Sequence, residues 1–404
     1  MDLGSIMSGV VAQSSGASVI AEASWWTRLW FRDSGSNFAA PSDAVFFYTF
    51  WTSTVFFVVL MFLMVYWGIK YRKKPGRAAQ VSPAHHTQLE IVWTVVPTIL
   101  FAIMFVWGLL AYLPMVIPPS NAEVINVTAT QWNWSLTYPN GAQSLQTERI
   151  DDTEKSLFAL RKGSPVKFVM SSDDVIHSFY IPEFRIKRDV FPNRYTVAWA
   201  EPTVATHKWD EASEKAVPID PAKPGFFLFC AEYCGDQHSQ MAHRIAVMEG
   251  PDYESWIAKQ LETSGIPLAE LGKKLYVSKG CTACHRVDGV DASGPTWKGI
   301  WGEARPPAGG KTPISAEVDF NFVRQSVLEP AAYIKSGWAN QMPSYQGQLT
   351  NREVLAIATY IMSLTDSAKA AAEELSTREM EERGEDASPP DPEQFFNPPA
   401  GSGG

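Results

Sequence analysis

Apolar residues fill two stretches of this chain without interruption and alternate with polar ones through a third. From Ala44 to Ile69 there are 26 residues without a charge, and from Ile91 to Leu113 another 23. Each run is long enough to cross a bilayer as a helix, and a buried soluble helix would rarely extend so far without a polar face. Pro97 falls in the first turns of the second run, where neighbouring groups can satisfy the carbonyl it frees. Between Glu123 and Pro251 the pattern changes to short alternating runs such as "EVINVTATQWNW", "PVKFVMSS" and "RYTVAWAEP", with Pro, Gly, Asn and Asp between them. That rhythm predicts short strands in a sandwich or barrel. After "PDYESWIAKQLETSG" the spacing becomes helical, in "LAELGKKLYVSKG" and again in "LTNREVLAIATYIMSL". The last helix should open with a capping box, Thr350 with Glu353, and a staple between Leu349 and Val354.

These patterns divide the 404 residues into an outer-side segment 1–43, a helical hairpin 44–113, a β domain 121–251, a linker 252–267, a helical domain 268–364 and a tail 365–404. The segment "WWTRLWF" near the start suits a surface helix or an outer tail, and the N-terminus lacks the basic region of a cleaved signal peptide. Between the two spans lie Lys70, Arg72, Lys73, Lys74 and Arg77 against the single acid Glu90. Loops this basic stay on the cytoplasmic side, so everything after Leu113 is expected outside the cytoplasm. The net charge of −9 changes little, because residues 366–404 carry ten acids and three bases. Rich in Glu, Pro, Gly and Ser, that tail is expected to be disordered, and nucleic-acid binding is not expected.

Chemistry enters with the four cysteines, which fall into two close pairs. An outward-facing domain would ordinarily suggest disulfides, but the residues around each pair point to a cofactor or a metal. "CTACH" places Cys281, Cys284 and His285 in the covalent haem-attachment spacing, in which both thiols add to vinyl groups and the histidine ligates iron. "NQMPSY" then supplies Met342, 57 residues after His285 and just before the capped helix. Residues 268–364 thus resemble a class I cytochrome c, and the resemblance implies His285 and Met342 as axial ligands.

The other pair lies in "FCAEYCGDQHSQMAHR", where Cys230, Cys234, His238 and Met241 follow at close intervals, and His177 waits upstream in "SSDDVIHSFYIPEF". A blue-copper centre needs one cysteine, two histidines and a weak methionine. A second thiolate can bridge two copper ions, and a carbonyl completes four ligands for each; a Cys2His2 zinc site would use four of the same donors. The motif C-x-E-x-C-x3-H-x2-M with an upstream histidine resembles the CuA domain of cytochrome c oxidase subunit II. By that resemblance His177 and Met241 serve one copper, His238 and the carbonyl of Glu232 the other, and Cys230 and Cys234 bridge them. It also implies a cupredoxin-like β-sandwich or barrel and a Mg site at a subunit interface through Glu232.

The resemblance extends beyond the copper ligands. In "HHTQLEIVWTVVPTIL" it gives Glu90 a place on a proton path, although an acid at a span boundary is also an ordinary interfacial anchor. In "QWNWSLTYPNG" it makes Trp132 the electron-input residue, with Asn133 standing where the family commonly has an aromatic. Trp132 and Trp134 would equally serve as packing on one strand face. Lys187 and Asp189 match positions near the main subunit, or form a solvated ion pair; His85, His86, His207 and His243 have no assigned role. A cytochrome c fused behind a CuA subunit is the arrangement of caa-type oxidases. It implies a bacterial inner-membrane protein that takes electrons from a soluble or membrane-bound cytochrome, or another respiratory complex. They would pass through haem c and CuA to subunit I, where oxygen is reduced with proton translocation, among other membrane subunits. A CuA-type nitric oxide reductase and a stand-alone tethered carrier are the alternatives.

Overall fold

The computed structural model describes residues 29–76, 85–151, 153–309 and 311–383. Residues 1–28, which hold most of the expected outer-side segment, Arg77 of the basic loop and the tail from 384 onward lie outside them. The chain divides into a unit ending at Ser34, of which Leu29 and Trp30 are helical, and a second unit from Gly35 onward. All that follows concerns the second unit.

Both apolar runs form helices, α1 (Ala39–Lys70) and α2 (Thr87–Val116), each reaching past the charge-free stretch at both ends. Their apolar side chains stand exposed, as expected where lipid or another subunit supplies the contacts. At one end the helices are tied to the β domain: the Arg185 guanidinium grips both carboxylate oxygens of Asp43 at 2.8 and 3.0 Å, and Trp199 Nε1 donates to the Pro114 carbonyl at 2.9 Å. Arg72, Lys73 and Lys74 follow Lys70 at the opposite end of α1, away from the β domain.

The β domain comprises β1 (Glu123–Thr130), β2 (Asn133–Thr137), β3 (Thr147–Ile150), β4 (Thr153–Arg161), β5 (Val166–Ser172), β6 (His177–Ile181), β7 (Ile186–Val190), β8 (Thr196–Ala200), β9 (His207–Asp210), β10 (Lys215–Pro218), β11 (Phe226–Cys230) and β12 (Ala242–Met248). One sheet runs β2-β1-β5-β8 and a larger one β3-β4-β12-β11-β6-β7, with β9 and β10 as a separate hairpin. Strand β5 alternates strictly between buried and half-buried residues, the mark of a strand with one face in the core. Ile125, Trp134, Phe168, Phe179 and Leu228 meet between the sheets with essentially no exposure, which makes this a cupredoxin-like sandwich.

Two expectations need correction. Much of the supposed linker 252–267 is helix α3 (Gly250–Leu261), which belongs to the β domain: Tyr253, Trp256 and Ile257 enter its core, and Trp256 donates to Gln146 Oε1 at 3.1 Å. Apolar residues at helical spacing, with Pro251 at the start, make this stretch an amphipathic helix and leave 262–267 as the connection. The helical domain contains α4 (Leu268–Ser278), α5 (Phe320–Leu328) and α6 (Asn351–Ser363), and α6 opens with the Thr350–Glu353 capping box. Helices α4 and α6 cross so closely that a Cβ on Gly272 would lie 2.0 Å from the Ala356 carbonyl oxygen. The second correction is in the tail, where residues 369–383 form α7 (Lys369–Arg383) rather than disordered chain. Ala372 and Leu375 are buried, and Glu379, only 3% exposed, pairs with Arg352 at 2.8 Å.

Because Trp256 is fully buried and lies edge-on to Tyr138 at 5.5 Å, Trp256→Ala should destabilise the β domain by about 3–5 kcal/mol, the usual cost of emptying such a site. Hydrogen exchange at β4 and β12 in the purified chain measures this. Unchanged protection would show that α3 is a linker after all.

Candidate copper and haem centres

The ladder between β6 and β11 builds the first centre. Cys230, the last residue of β11, pairs with Phe179, and His177 opens β6 two positions earlier. Imidazole and thiol therefore meet at one end of the sheet, with His177 Nδ1 3.8 Å from Cys230 Sγ. The loop from β11 then turns back on itself. Cys234 Sγ lies 3.8 Å from Cys230 Sγ, His238 Nδ1 3.4 Å and Met241 Sδ 3.9 Å from Cys234 Sγ, and the Glu232 carbonyl 3.1 Å from Cys230 Sγ. Both cysteines are free, and His177, Cys230 and Cys234 are all buried.

This donor set fits copper. Two thiols, two imidazoles, a thioether and a carbonyl converge, whereas zinc needs no thioether. The contact between the two thiols, 3.8 Å apart, holds the pKa of Cys230 well below that of an ordinary thiol and pushes that of Cys234 up. A bound cation is what allows both to be thiolates. Asp174 fixes the histidine, accepting from His177 Nε2 at 2.8 Å while its other oxygen accepts the Gln131 amide at 2.6 Å. Nδ1 is thereby left for the metal. Burial is the largest influence on His177 and opposes its charge, but the hydrogen bonds to Asp174 and Cys230 and the charges of both together raise its pKa.

The second centre follows α4. Cys281 and Cys284 border a one-turn 3-10 helix, and His285 Nδ1 donates to the Pro295 carbonyl at 2.7 Å, which leaves Nε2 as the free nitrogen. Trp297 stacks on the imidazole with ring centres 5.2 Å apart. These groups and Met342 line one cavity, part of it open to solvent. Burial lowers the pKa of His285, which favours the neutral ring an iron ligand requires, and pushes the Cys281 thiol up to about 12. A thiol pair beside an apolar slot, with an imidazole and a thioether on its walls, fits covalently held haem.

Of the other residues singled out in the sequence, Trp132 lies beside the copper loop, whereas Glu90 lies at the far end of the membrane helices. Trp132 is 4% exposed and donates through Nε1 to the Cys234 carbonyl at 3.1 Å. Glu90 accepts the His86 amide at 3.0 Å at the start of α2. Lys187 and Asp189 are 3.7 Å apart on β7, and Asp189 also accepts from Ser178 Oγ. His207 and His243 are buried, and burial pulls the pKa of His207 down to about 4. Sequence reasoning missed Asp174, whose signal was its place three residues before His177, and missed Gln131, whose Nε2 donates to the Cys234 carbonyl at 2.6 Å.

Three family profiles match the chain: the cytochrome c oxidase subunit II transmembrane domain over residues 23–109, its periplasmic domain over 123–248, and cytochrome c over 269–365. The chain belongs to the cytochrome c oxidase subunit II family and carries a C-terminal cytochrome c domain. Cytochrome c oxidase subunit 2 of Alkalihalophilus pseudofirmus is 29% identical over 323 residues, 77% of this chain and 81% of the relative. The alternative cytochrome c oxidase subunit 2 of Bradyrhizobium diazoefficiens is 28% identical over 264 residues, 60% and 86% respectively. Among solved structures, the periplasmic domain of subunit II (CoxB) of Bradyrhizobium japonicum covers 36% of this chain and 98% of its own at 22% identity, with a TM-score of 0.30. Family membership implies copper of the CuA kind, haem c, a membrane anchor with the copper domain outside, and assembly with subunit I as part of an oxidase.

Proposed function

We propose that the chain is the electron-input subunit of a caa-type respiratory haem-copper oxidase in a bacterial inner membrane, with its copper and cytochrome domains on the periplasmic side. Electrons from an external cytochrome or respiratory complex reach the cytochrome domain first, cross to the copper domain and leave for subunit I. There oxygen is reduced to water with proton translocation. The observation that carries this reading is that two complete soft donor sets, one for copper and one for haem, stand on a single membrane-anchored chain.

Bound haem c and a binuclear copper site each supply a one-electron carrier, and the chain's residues hold and tune them. Cys281 and Cys284 would anchor the haem, and His285 and Met342 would supply its iron ligands. Cys230 and Cys234 would hold the coppers between them, with His177, Met241, His238 and the Glu232 carbonyl as the further donors. The exposed side chain of Glu232 is free to meet a Mg ion at the border with subunit I. Glu90, at the cytoplasmic end of α2, is positioned to take part in proton uptake, and the Lys187–Asp189 pair to face the partner.

Two experiments test this. Copper-loaded chain should bind two ions and give a mixed-valence resonance signal that Cys234→Ser abolishes, because one thiolate cannot bridge in the same way; one colourless ion per chain would contradict the assignment. In the assembled complex, an external donor should reduce the cytochrome domain before the copper domain, and Met342→Ala, which opens an axial position and shifts the potential, should slow copper reduction. Equal rates with and without Met342 would place electron input at the copper domain itself.

A further inference from the structure

The two cofactor loops touch. Gln237, in the copper loop beside His238, donates through Nε2 to the carbonyl of Ala283, which lies between the haem-attaching cysteines. Ala283 is 5% exposed and packs with the core of the copper domain, and Cys284 lies against the same cluster. From the other side, Gln131 lines the haem cavity while bonded to the Cys234 carbonyl.

A second set of contacts surrounds this one. Asn133 Nδ2 donates to the Ser278 carbonyl at 3.4 Å, and Asn133 Oδ1 is held by the fully buried His243 at 3.1 Å. Gly280, at φ +74°, comes so close that a Cβ there would stand 2.6 Å from that of Asn133. The ammonium of Lys279, 6% exposed, donates to Gln143 Oε1 at 2.7 Å. The connection between the domains is also held, since Arg352 donates to the carbonyls of Thr263 and Ile266 at 3.0 Å each.

We propose that the cytochrome domain is a fixed partner of the copper loop, positioned by Gln237 on Ala283, Asn133 on Ser278 and Gln143 on Lys279, and that electrons cross at the Gln237–Ala283 contact. This rests on the relay reading above. A single electron passes from the cytochrome domain to the copper domain, oxidising the first and reducing the second, with no bond made or broken and no proton moved. Trp132 is buried, and its neighbours Gln131 and Asn133 face the cytochrome domain, so an outside donor meets the cytochrome domain and not Trp132. Gln237, Asn133 and Gln143 are positioning residues: they set the separation of the two centres without ligating either.

The test uses the full cofactor-loaded chain carrying Gln143→Lys, which sets a second cation against Lys279, or Gln237→Ala, which removes the contact between the loops. Hydrogen exchange at residues 131–135 and 278–284 reports docking whatever the electron flow. Single-turnover reduction reports the crossing. Gln143→Lys should raise exchange in both segments, and both variants should slow the crossing severalfold, because electron transfer between two carriers weakens steeply as their separation grows. Gln143→Glu, which gives Lys279 a counter-charge, should keep exchange and crossing at the unaltered level. Retained haem and copper spectra identify variants that have folded. Unaltered exchange and crossing rates in both Gln143→Lys and Gln237→Ala would overturn the proposal. Absence of any crossing in the unaltered protein would overturn the relay reading instead, and exchange would still decide whether the domains dock.

Discussion

Cys230 and Phe179 face each other across the ladder between β6 and β11, and the copper site depends on that pairing. Side chains alternate along a strand, so a slip of one residue would turn His177 to the opposite face and leave the thiols without their buried imidazole. With the register set, the remaining donors come from one short loop that leaves β11 at Cys230 and returns at β12 by way of Met241. The constraint reaches further through Asp174, which holds the ring of His177 and also takes the Gln131 amide. Gln131 in turn bonds the Cys234 carbonyl, so the ligands on β6 and on the copper loop are braced by one chain of hydrogen bonds.

The same bracing continues into the helical domain. Arg352, near the start of α6, bonds two carbonyls of the connection at 262–267 and is itself held by Glu379 of α7. A carboxylate as buried as Glu379 would be costly without its partner, and removing either member would leave a charge stranded. The acidic tail thus contributes a helix that fixes Arg352, which fixes the connection. A short connection pinned along its length suits a cytochrome domain that stays in place better than one that swings between partners.

Much of this was legible in the sequence because it depends on local spacing. Charge-free runs announced α1 and α2, the Thr350–Glu353 box announced α6, and the two cysteine motifs singled out Cys230, Cys234, His238, Cys281, Cys284 and His285, residues that also lie close together within each group in the fold. Helix α3 was read as linker although Tyr253, Trp256, Ile257 and Gln260 fall on one helical face; its mixed composition hid the amphipathic pattern. Helix α7 was hidden by its charge, because Glu379 is buried only through Arg352, a partner distant in sequence. The contacts of Gln237, Asn133 and Gln143 carry no local signal, since each meets a residue more than forty positions away. Asn133 still left a trace, standing where relatives were expected to carry an aromatic, and Gly280 lies close against it.

The central claim is that one chain holds its haem and copper centres at a fixed separation. Pulsed electron paramagnetic resonance between the oxidised copper centre and the ferric haem in the loaded chain measures that separation directly. A single narrow distance, the same in the free subunit and in the assembled oxidase, is the predicted result. A broad distribution, or a distance that appears only after assembly with subunit I, would contradict the account.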